Sequence, residues 1–319
     1  MKTKDLIAKR LRREKAMERK NRNKQQVAQQ RTTTEMRDVE YTLPTGFSDE
    51  VLNEVKQLPN QSISQNEVMR RRDMRDVLTF TIDPDEAKDF DDALSFQILD
   101  TGNYQVGIHI ADVTHYVQEQ TALDDEAYQR GTSVYLVDRV IPMLPERLSN
   151  ELCSLRPDED KLCMSVIVEM DQQAKVIRHK ICRTVIRSNY RLTYRQAQEL
   201  LENSLQLKVD SGQLREALQV LNGLAKQLRA NRFRQGAINF ETPEVHFRLD
   251  EQNEPIEIFF HNSLDTNHLI EEFMLLANRI VATAIGKVKG ENGKENAENG
   301  EGKKSEKAKP MVYRVHDNP

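Results

Sequence analysis

Between Leu78 and Gln97 the chain reads L-T-F-T-I-D-P-D-E-A-K-D-F-D-D-A-L-S-F-Q, and four aspartates, Asp83, Asp89, Asp91 and Asp92, fall within ten residues with Asp85 and Glu86 among them. Carboxylates this dense repel one another, so each raises the proton affinity of the next unless a cation compensates. An oxygen-only carboxylate set is what hard divalent cations such as Mg²⁺ or Mn²⁺ take, and such ions also bind phosphate oxygens. Two of them about 4 Å apart would clamp an in-line displacement at phosphorus. The competing reading is a solvated acidic turn, which fits two or three carboxylates better than four set between strongly apolar segments. A calcium EF-hand loop starting at Asp83 fails, because Lys88 stands where the sixth position needs Gly and Leu94 where the twelfth needs Glu.

The positioning elements are legible on both sides. Leu78, Phe80 and Ile82 before the acidic run, and Leu94, Phe96 and Ile98 after it, alternate with period two and predict strands with one buried face. The aspartates then occupy the connection between two core strands. Asp91 and Asp92 are adjacent, so regular strand geometry would point them to opposite faces, and their convergence needs an irregular backbone. A third strand is predicted over Tyr104 to Val113, reached through a turn at Asp100 to Asn103. Neither His109 nor His115 has a second ligand at helical spacing, and structural roles are expected for both.

Further along, Ser133 to Val137 is a short apolar segment, Leu162 to Met170 and Lys175 to Ser188 predict a hairpin, and Leu192 to Leu201 predicts a helix. Leu214, Leu218, Leu221, Ala225 and Leu228 follow a 3.6-residue period, as do Leu269, Phe273, Leu276 and Ile280. Nearer the start, a helix is predicted between Tyr41 and Pro59 with Ser48 as its N-cap. Strands and helices come in blocks, so the expected class is α+β, with a mixed, largely antiparallel sheet and packed helices.

Charge is distributed unevenly. Met1 to Arg31 holds 12 Lys and Arg against 3 Asp and Glu, while the other residues hold 35 against 48. The expected organisation is a basic helical or disordered arm over 1–40, a folded domain over 41–286, a low-complexity insert over 287–310 and the start of a further segment over 311–319. The arm suits phosphate backbones, and equally a plain polar extension. No run of 18 or more apolar residues occurs, which leaves no predicted membrane helix. Three cysteines, Cys153, Cys163 and Cys182, lack C-x-x-C spacing and are expected to be reduced and buried, in keeping with a cytoplasmic location.

Five ordered motifs carry a family resemblance: D-P-D-E-A-K-D-F-D-D-A from Asp83, H-I-A-D-V-T-H-Y from His109, the run from Val134 to Pro157, G-A-I-N-F-E from Gly236, and Y-R-V-H-D-N-P from Tyr313. Together they resemble the RNB catalytic domain of ribonuclease II and ribonuclease R exoribonucleases over Phe47 to Pro319, bacterial ribonuclease R more than ribonuclease II. The resemblance implies Mg²⁺-dependent, processive hydrolysis of RNA from the 3′ end to nucleoside 5′-monophosphates, with Mn²⁺ as a substitute metal. Its substrates are single strands or RNA with a single-stranded 3′ tail. It further implies that Asp83, Asp89, Asp91 and Asp92 are the catalytic metal-site aspartates, that Tyr135 and Phe240 stack on terminal bases, and that Glu271 or Glu272 lies near the terminal ribose. Arg147, Arg156 and Arg187 are expected phosphate contacts. The family's flanking nucleic-acid-binding domains and a later catalytic arginine motif have no counterpart in these residues, so the chain reads as cut at both ends. The alternative is an RNA-binding fragment that does not cleave.

Overall fold

The computed structural model describes residues 44, 46–59, 63–137, 139–202, 204, 212–238, 244–250, 255–261 and 263–286. The arm, the insert, the 311–319 segment and Phe240 lie outside the described residues.

The strands are β1 (Arg72–Asp73), β2 (Thr79–Asp83), β3 (Asp92–Ile98), β4 (Tyr104–Ala111), β5 (Val134–Tyr135), β6 (Val140–Ile141), β7 (Asp160–Met170), β8 (Val176–Arg187), β9 (Tyr190–Thr193), β10 (Glu244–Leu249) and β11 (Pro255–His261). Seven form one sheet in the order β1-β8-β7-β4-β3-β2-β9, while β5–β6 and β10–β11 form separate hairpins. The large sheet is antiparallel apart from β1 on β8 and β9 on β2. The helices are α1 (Asp49–Gln57), α2 (Gln65–Met69), α3 (Ala122–Arg130), α4 (Tyr194–Leu201), α5 (Gly212–Arg234) and α6 (Asp265–Gly286). The α+β class expected from the sequence is the one observed.

Both faces of the sheet are covered, where the alternation had suggested one. Leu94, Phe96, Val106, Ile108, Val166 and Val168 pack with Leu200 of α4, Leu218 and Leu221 of α5 and Phe273 of α6. Residues of the opposite alternation on the same strands, Ala93, Ala111, Cys163 and Ile167, pack with Val51 and Val55 of α1, Leu123 of α3 and the Leu144–Leu155 region. Every residue of β2 is consequently buried. Burial on both sides fixes strand register strongly, since a slip of one residue would exchange the two cores.

Local chemistry sets the element ends. Ser48 caps α1 by accepting a hydrogen bond from the Val51 amide, as predicted. The helix expected from Leu192 begins two residues later, because Leu192 pairs with Ile82 in β9 and Thr193 makes a capping box with Gln196. Tertiary pairing outweighs helix propensity there. Arg147–Leu152 forms a π-helical turn, with the Cys153 amide donating to the Leu148 carbonyl at 2.9 Å. That turn delivers Ser154 and Leu155 to the acidic loop. Cys153 and Cys163 are buried free thiols and Cys182 is half-buried.

His109 is fully buried on β4, with Nδ1 2.7 Å from Ser165 Oγ and Nε2 2.9 Å from Ser95 Oγ. Burial pulls its pKa down to about 3, so the ring is neutral. It is a satisfied core histidine, as its lack of a second ligand suggested. Gly107 leaves the room for it: a Cβ there would lie 2.3 Å from Ser95 Oγ and 2.5 Å from His109 Nε2. Gly107→Ala should therefore break the serine–histidine bridge and overpack the sheet, lowering stability by about 1–3 kcal/mol. Urea unfolding followed by circular dichroism checks this, and an unchanged midpoint would overturn it.

Candidate active site

The acidic loop joins two neighbouring strands. β2 ends on Asp83, β3 starts on Asp92, and the pair is antiparallel through Phe80 and Leu94. Phe90 packs in the same core as Ala93, three positions on, where strand alternation would have separated them. The backbone is thus irregular around Asp91, as adjacent aspartates required. Asp83 is only 7 % exposed, Asp92 and Asp89 are half-buried, and Asp91 faces solvent.

Protein donors hold the loop by its backbone. The Phe90 amide donates to Ser154 Oγ at 3.0 Å, and the same hydroxyl donates to the Lys88 carbonyl at 2.8 Å. The Leu155 amide donates to the Phe90 carbonyl at 2.8 Å and the Ala111 amide to the Asp91 carbonyl at 3.0 Å. On the other side, the Arg191 guanidinium of β9 donates to the carbonyls of Pro84 and Asp85 at 2.8 and 3.0 Å. Ser154 sits inside a motif quoted from the sequence, yet nothing in that motif marked its role. Arg191 had no sequence signal, because its nearness comes from the parallel pairing of β9 with β2.

The carboxylates themselves are poorly compensated. Asp83 Oδ2 and Asp92 Oδ2 are buried and make no hydrogen bond among the described residues. Burial is the main cause that raises the Asp92 pKa to about 7, with the Asp83 and Asp91 charges adding to it. Burial likewise raises Asp83 to about 6, where the Thr81 hydroxyl and then the Arg191 charge oppose the effect and Asp91 and Asp89 reinforce it. Asp91, though open to solvent on one side, is raised by the partial shielding of its carboxyl within the loop and by the Asp89 charge. The chemistry of this donor set fits a divalent cation: hard oxygens, two of them without donors, in mutual repulsion. Among the described residues no three His, Cys, Asp or Glu side chains converge as they stand on a point that would seat an ion. A bound cation would have to draw the carboxylates together.

Tyr135, on the β5–β6 hairpin, is 69 % exposed beside this loop. Partial burial and the charges of Asp89 and Asp91 raise its hydroxyl pKa, and Asp89 is also its hydrogen-bond partner. The structure therefore brings Tyr135 to the acidic loop with its ring open to solvent. Glu271 and Glu272 lie on α6 and are tied to α5: Arg232 reaches Glu272 at 2.5 Å and Glu271 at 3.1 Å, and Glu272 is 3 % exposed. The three expected phosphate contacts have protein partners. Arg147 donates to the carbonyls of Val55 and Leu58 at the end of α1, Arg156 pairs with Glu159, and Arg187 pairs with Asp160. These arginines tie segments together, as i,i+3 and cross-strand charge pairs commonly do.

The raised pKa values fix a pH dependence. With folded values near 7 and 6 against an ordinary 3.8, the folded state binds more protons than the unfolded state across that window. Stability from this pair is full below about pH 4 and is lost as pH rises through the folded values. His109 acts in the opposite direction between about 3 and 6.5, because its folded pKa is depressed. Its contribution cancels in a comparison of wild type with Asp92→Asn. In EDTA, wild type should lose more stability than Asp92→Asn between pH 5 and pH 8. Parallel losses in denaturant midpoints would contradict the electrostatic account.

Known proteins resemble this chain in sequence and fold. The RNB domain family signature matches residues 71–319. Over 279 residues the chain is 39% identical to Ribonuclease R of Aquifex aeolicus, covering 88% of this chain and 37% of that protein. It is 40% identical over 277 residues to Ribonuclease R of Thermotoga maritima, covering 86% and 36% of the two chains. The Exosome complex exonuclease RRP44 of Homo sapiens is 40% identical over 270 residues, covering 83% and 27%. The chain thus spans roughly a third of the length of these relatives. Among solved structures, Mycoplasma genitalium RNase R in complex with ribose methylated single-stranded RNA superposes with TM-score 0.72 at 30% identity, over 78% of this chain and 38% of that one. Yeast Ssd1, described as a pseudonuclease, shares the fold with TM-score 0.56 at 19% identity, over 70% of this chain and 27% of that one. With the signature covering most of its length and the ribonuclease R relatives aligned across the acidic loop, the chain belongs to the RNB-domain ribonuclease family.

Proposed function

We propose that this chain carries the carboxylate side of a 3′-to-5′ exoribonuclease active site, hydrolysing single-stranded RNA, or the single-stranded 3′ tail of a structured RNA, to nucleoside 5′-monophosphates. The observation that carries the reading is the pair of buried, donorless carboxylate oxygens on Asp83 and Asp92, with Asp89 and Asp91 beside them at the end of one sheet. Uncompensated acids buried at the end of a packed sheet lower stability, and a cation-assisted reaction gives them a use.

Asp83, Asp89, Asp91 and Asp92 would hold Mg²⁺, or Mn²⁺ in its place. The bound metal would supply Lewis acidity at a phosphoryl oxygen and lower the pKa of water. The protein's own contribution is placement: Ser154, Leu155 and Ala111 fix the loop backbone, and Phe90 anchors it in the core. The exposed ring of Tyr135 offers a π-face next to Asp89, on which a base of any identity can stack. Phe240 is proposed as a second stacking ring. Glu271 or Glu272 is proposed at the terminal ribose, where a carboxylate could accept from a 2′-OH and favour RNA over DNA. The excess of Lys and Arg over Met1–Arg31 supports an arm that docks on phosphate backbones in a sequence-independent way, ahead of a catalytic region over 41–286, an insert over 287–310 and a further segment from 311. The free cysteines support a cytoplasmic setting. Among the described residues no helix is long and apolar enough to cross a membrane.

A second reading is an RNA-binding segment that does not cut, favoured by the absence of a converged three-carboxylate cage among the described residues. One experiment separates the two. A 5′-labelled single-stranded RNA incubated with Mg²⁺ should shorten progressively from its 3′ end, stop in EDTA, and resist attack when the 3′ end carries a phosphate. Asp92→Asn should remove cleavage while RNA remains bound. Retained RNA with no shortening in wild type would establish the binding-only reading, and internal fragments at the earliest times would establish an endonuclease.

Stacking has its own consequence. Tyr135→Ala should weaken short oligomers by about 1–3 kcal/mol, roughly 5- to 150-fold in Kd. Long RNAs, held by many phosphate contacts, should weaken less. Fluorescence anisotropy with 5- and 25-nucleotide RNAs measures both, and equal affinities of wild type and variant for the short RNA would return Tyr135 to a packing role.

A further inference from the structure

We infer that Arg191 is a positioning residue for the acidic loop: its guanidinium bridges the Pro84 and Asp85 carbonyls and so sets the path by which the chain leaves Asp83 and returns to Asp89. The inference rests on the metal-site reading given above and deepens it. Arg191 lies on β9 opposite Thr81, two residues before the partner of Asp83, so it stands directly beside the strand that ends in the site. One terminal nitrogen donates to both carbonyls, at 2.8 and 3.0 Å. The guanidinium carbon also lies 5.3 Å from the centroid of Phe90, the ring that anchors the far part of the loop. Arg191 therefore touches both ends of the turn, while Ser154 holds its Lys88–Phe90 portion from the opposite side.

The partners of Arg191 matter as much as its place. A guanidinium beside four aspartates would by charge alone compete with a metal ion for them. Its hydrogen bonds instead run to main-chain carbonyls, which leaves the Asp83 and Asp92 oxygens that lack donors free for another ligand. Nε of Arg191 is buried without a partner among the described residues, and among those residues the side chain is held by the loop contacts and the ring. A lysine keeps the charge but has a single compact ammonium and no planar face to lie over Phe90, so it cannot reproduce both contacts. Groups that orient metal ligands from behind typically change metal affinity by about 10- to 100-fold when removed.

The test compares wild type, Arg191→Lys and Arg191→Gln in two readouts: Mn²⁺ binding by isothermal titration, and amide hydrogen exchange of residues 84–88 in the metal-free protein. The Ala87 amide, which donates to the Pro84 carbonyl at 3.2 Å, reports directly on the turn. Both variants should exchange faster at 84–88 with unchanged protection in the β7–β8 hairpin, and both should bind Mn²⁺ about tenfold or more weakly. Tighter binding by Arg191→Gln with unchanged binding by Arg191→Lys would show that only the charge matters and overturn the inference. Unchanged exchange at 84–88 in both variants would overturn it as well. Wild type that takes up no Mn²⁺ would defeat the metal reading, and the exchange data alone would then decide the role of Arg191.

Discussion

Two carboxylates are forced into the end of a sheet whose faces are both packed, and the rest of the molecule is arranged around that constraint. Asp83 closes β2 and Asp92 opens β3, so neither can move away without unpairing a core strand. Each keeps a buried oxygen without a hydrogen-bond donor. Burying a charged group in this way is costly unless something pairs with it, and the raised pKa values are the expression of that cost. The two cores compensate for it. Leucine, isoleucine and phenylalanine on one face, and a helix-and-turn layer on the other, hold the strands where the acids alone would not remain.

The holding contacts divide by chemistry. The acidic loop is fixed through its main chain, by a serine hydroxyl, backbone amides and a guanidinium, and its carboxylates are left with few protein partners. This division suits a site that must accept a cation and a polyanion in turn, because a carboxylate already saturated by protein donors has little left to offer. The opposite is seen elsewhere. Arg71 and Asp112 form a fully buried ion pair at 2.7 Å, and His109 is bracketed by two serines.

A shared fold does not by itself supply activity, since sites are built on folds by particular side chains. In this chain the acid loop stands beside an exposed tyrosine, held on a hairpin that is separate from the main sheet. Under the proposed reading, a rigid sheet end for the acids and a small hairpin for the ring would let the reacting centre stay fixed while the grip on bases remains sequence-tolerant.

The sequence by itself determined the elements with strong periodicity and the crowding of carboxylates in the acidic run. Phe80 and Ile82, and Leu94 and Phe96, marked the strands on either side; Ser48 marked a helix start; the leucines of α5 marked its buried stripe. These signals are local, carried by side chains a few residues apart, and so they can be read without knowing what lies across the core. The α+β class and the role of His109 followed from the same kind of reading. Tertiary structure decided the rest. That β2 is covered on both faces depends on layers distant in sequence, and that Leu192 joins a strand depends on its pairing with Ile82. The protein partners of Arg147, Arg156 and Arg187 could not be distinguished from phosphate contacts in a string of letters, because a guanidinium serves either purpose. Ser154 and Arg191 reach the acidic loop from 66 and 106 or more residues away, through a π-helical turn and a parallel strand pairing. Contacts of that separation exist only once the chain has closed its loops, and no residue spacing records them.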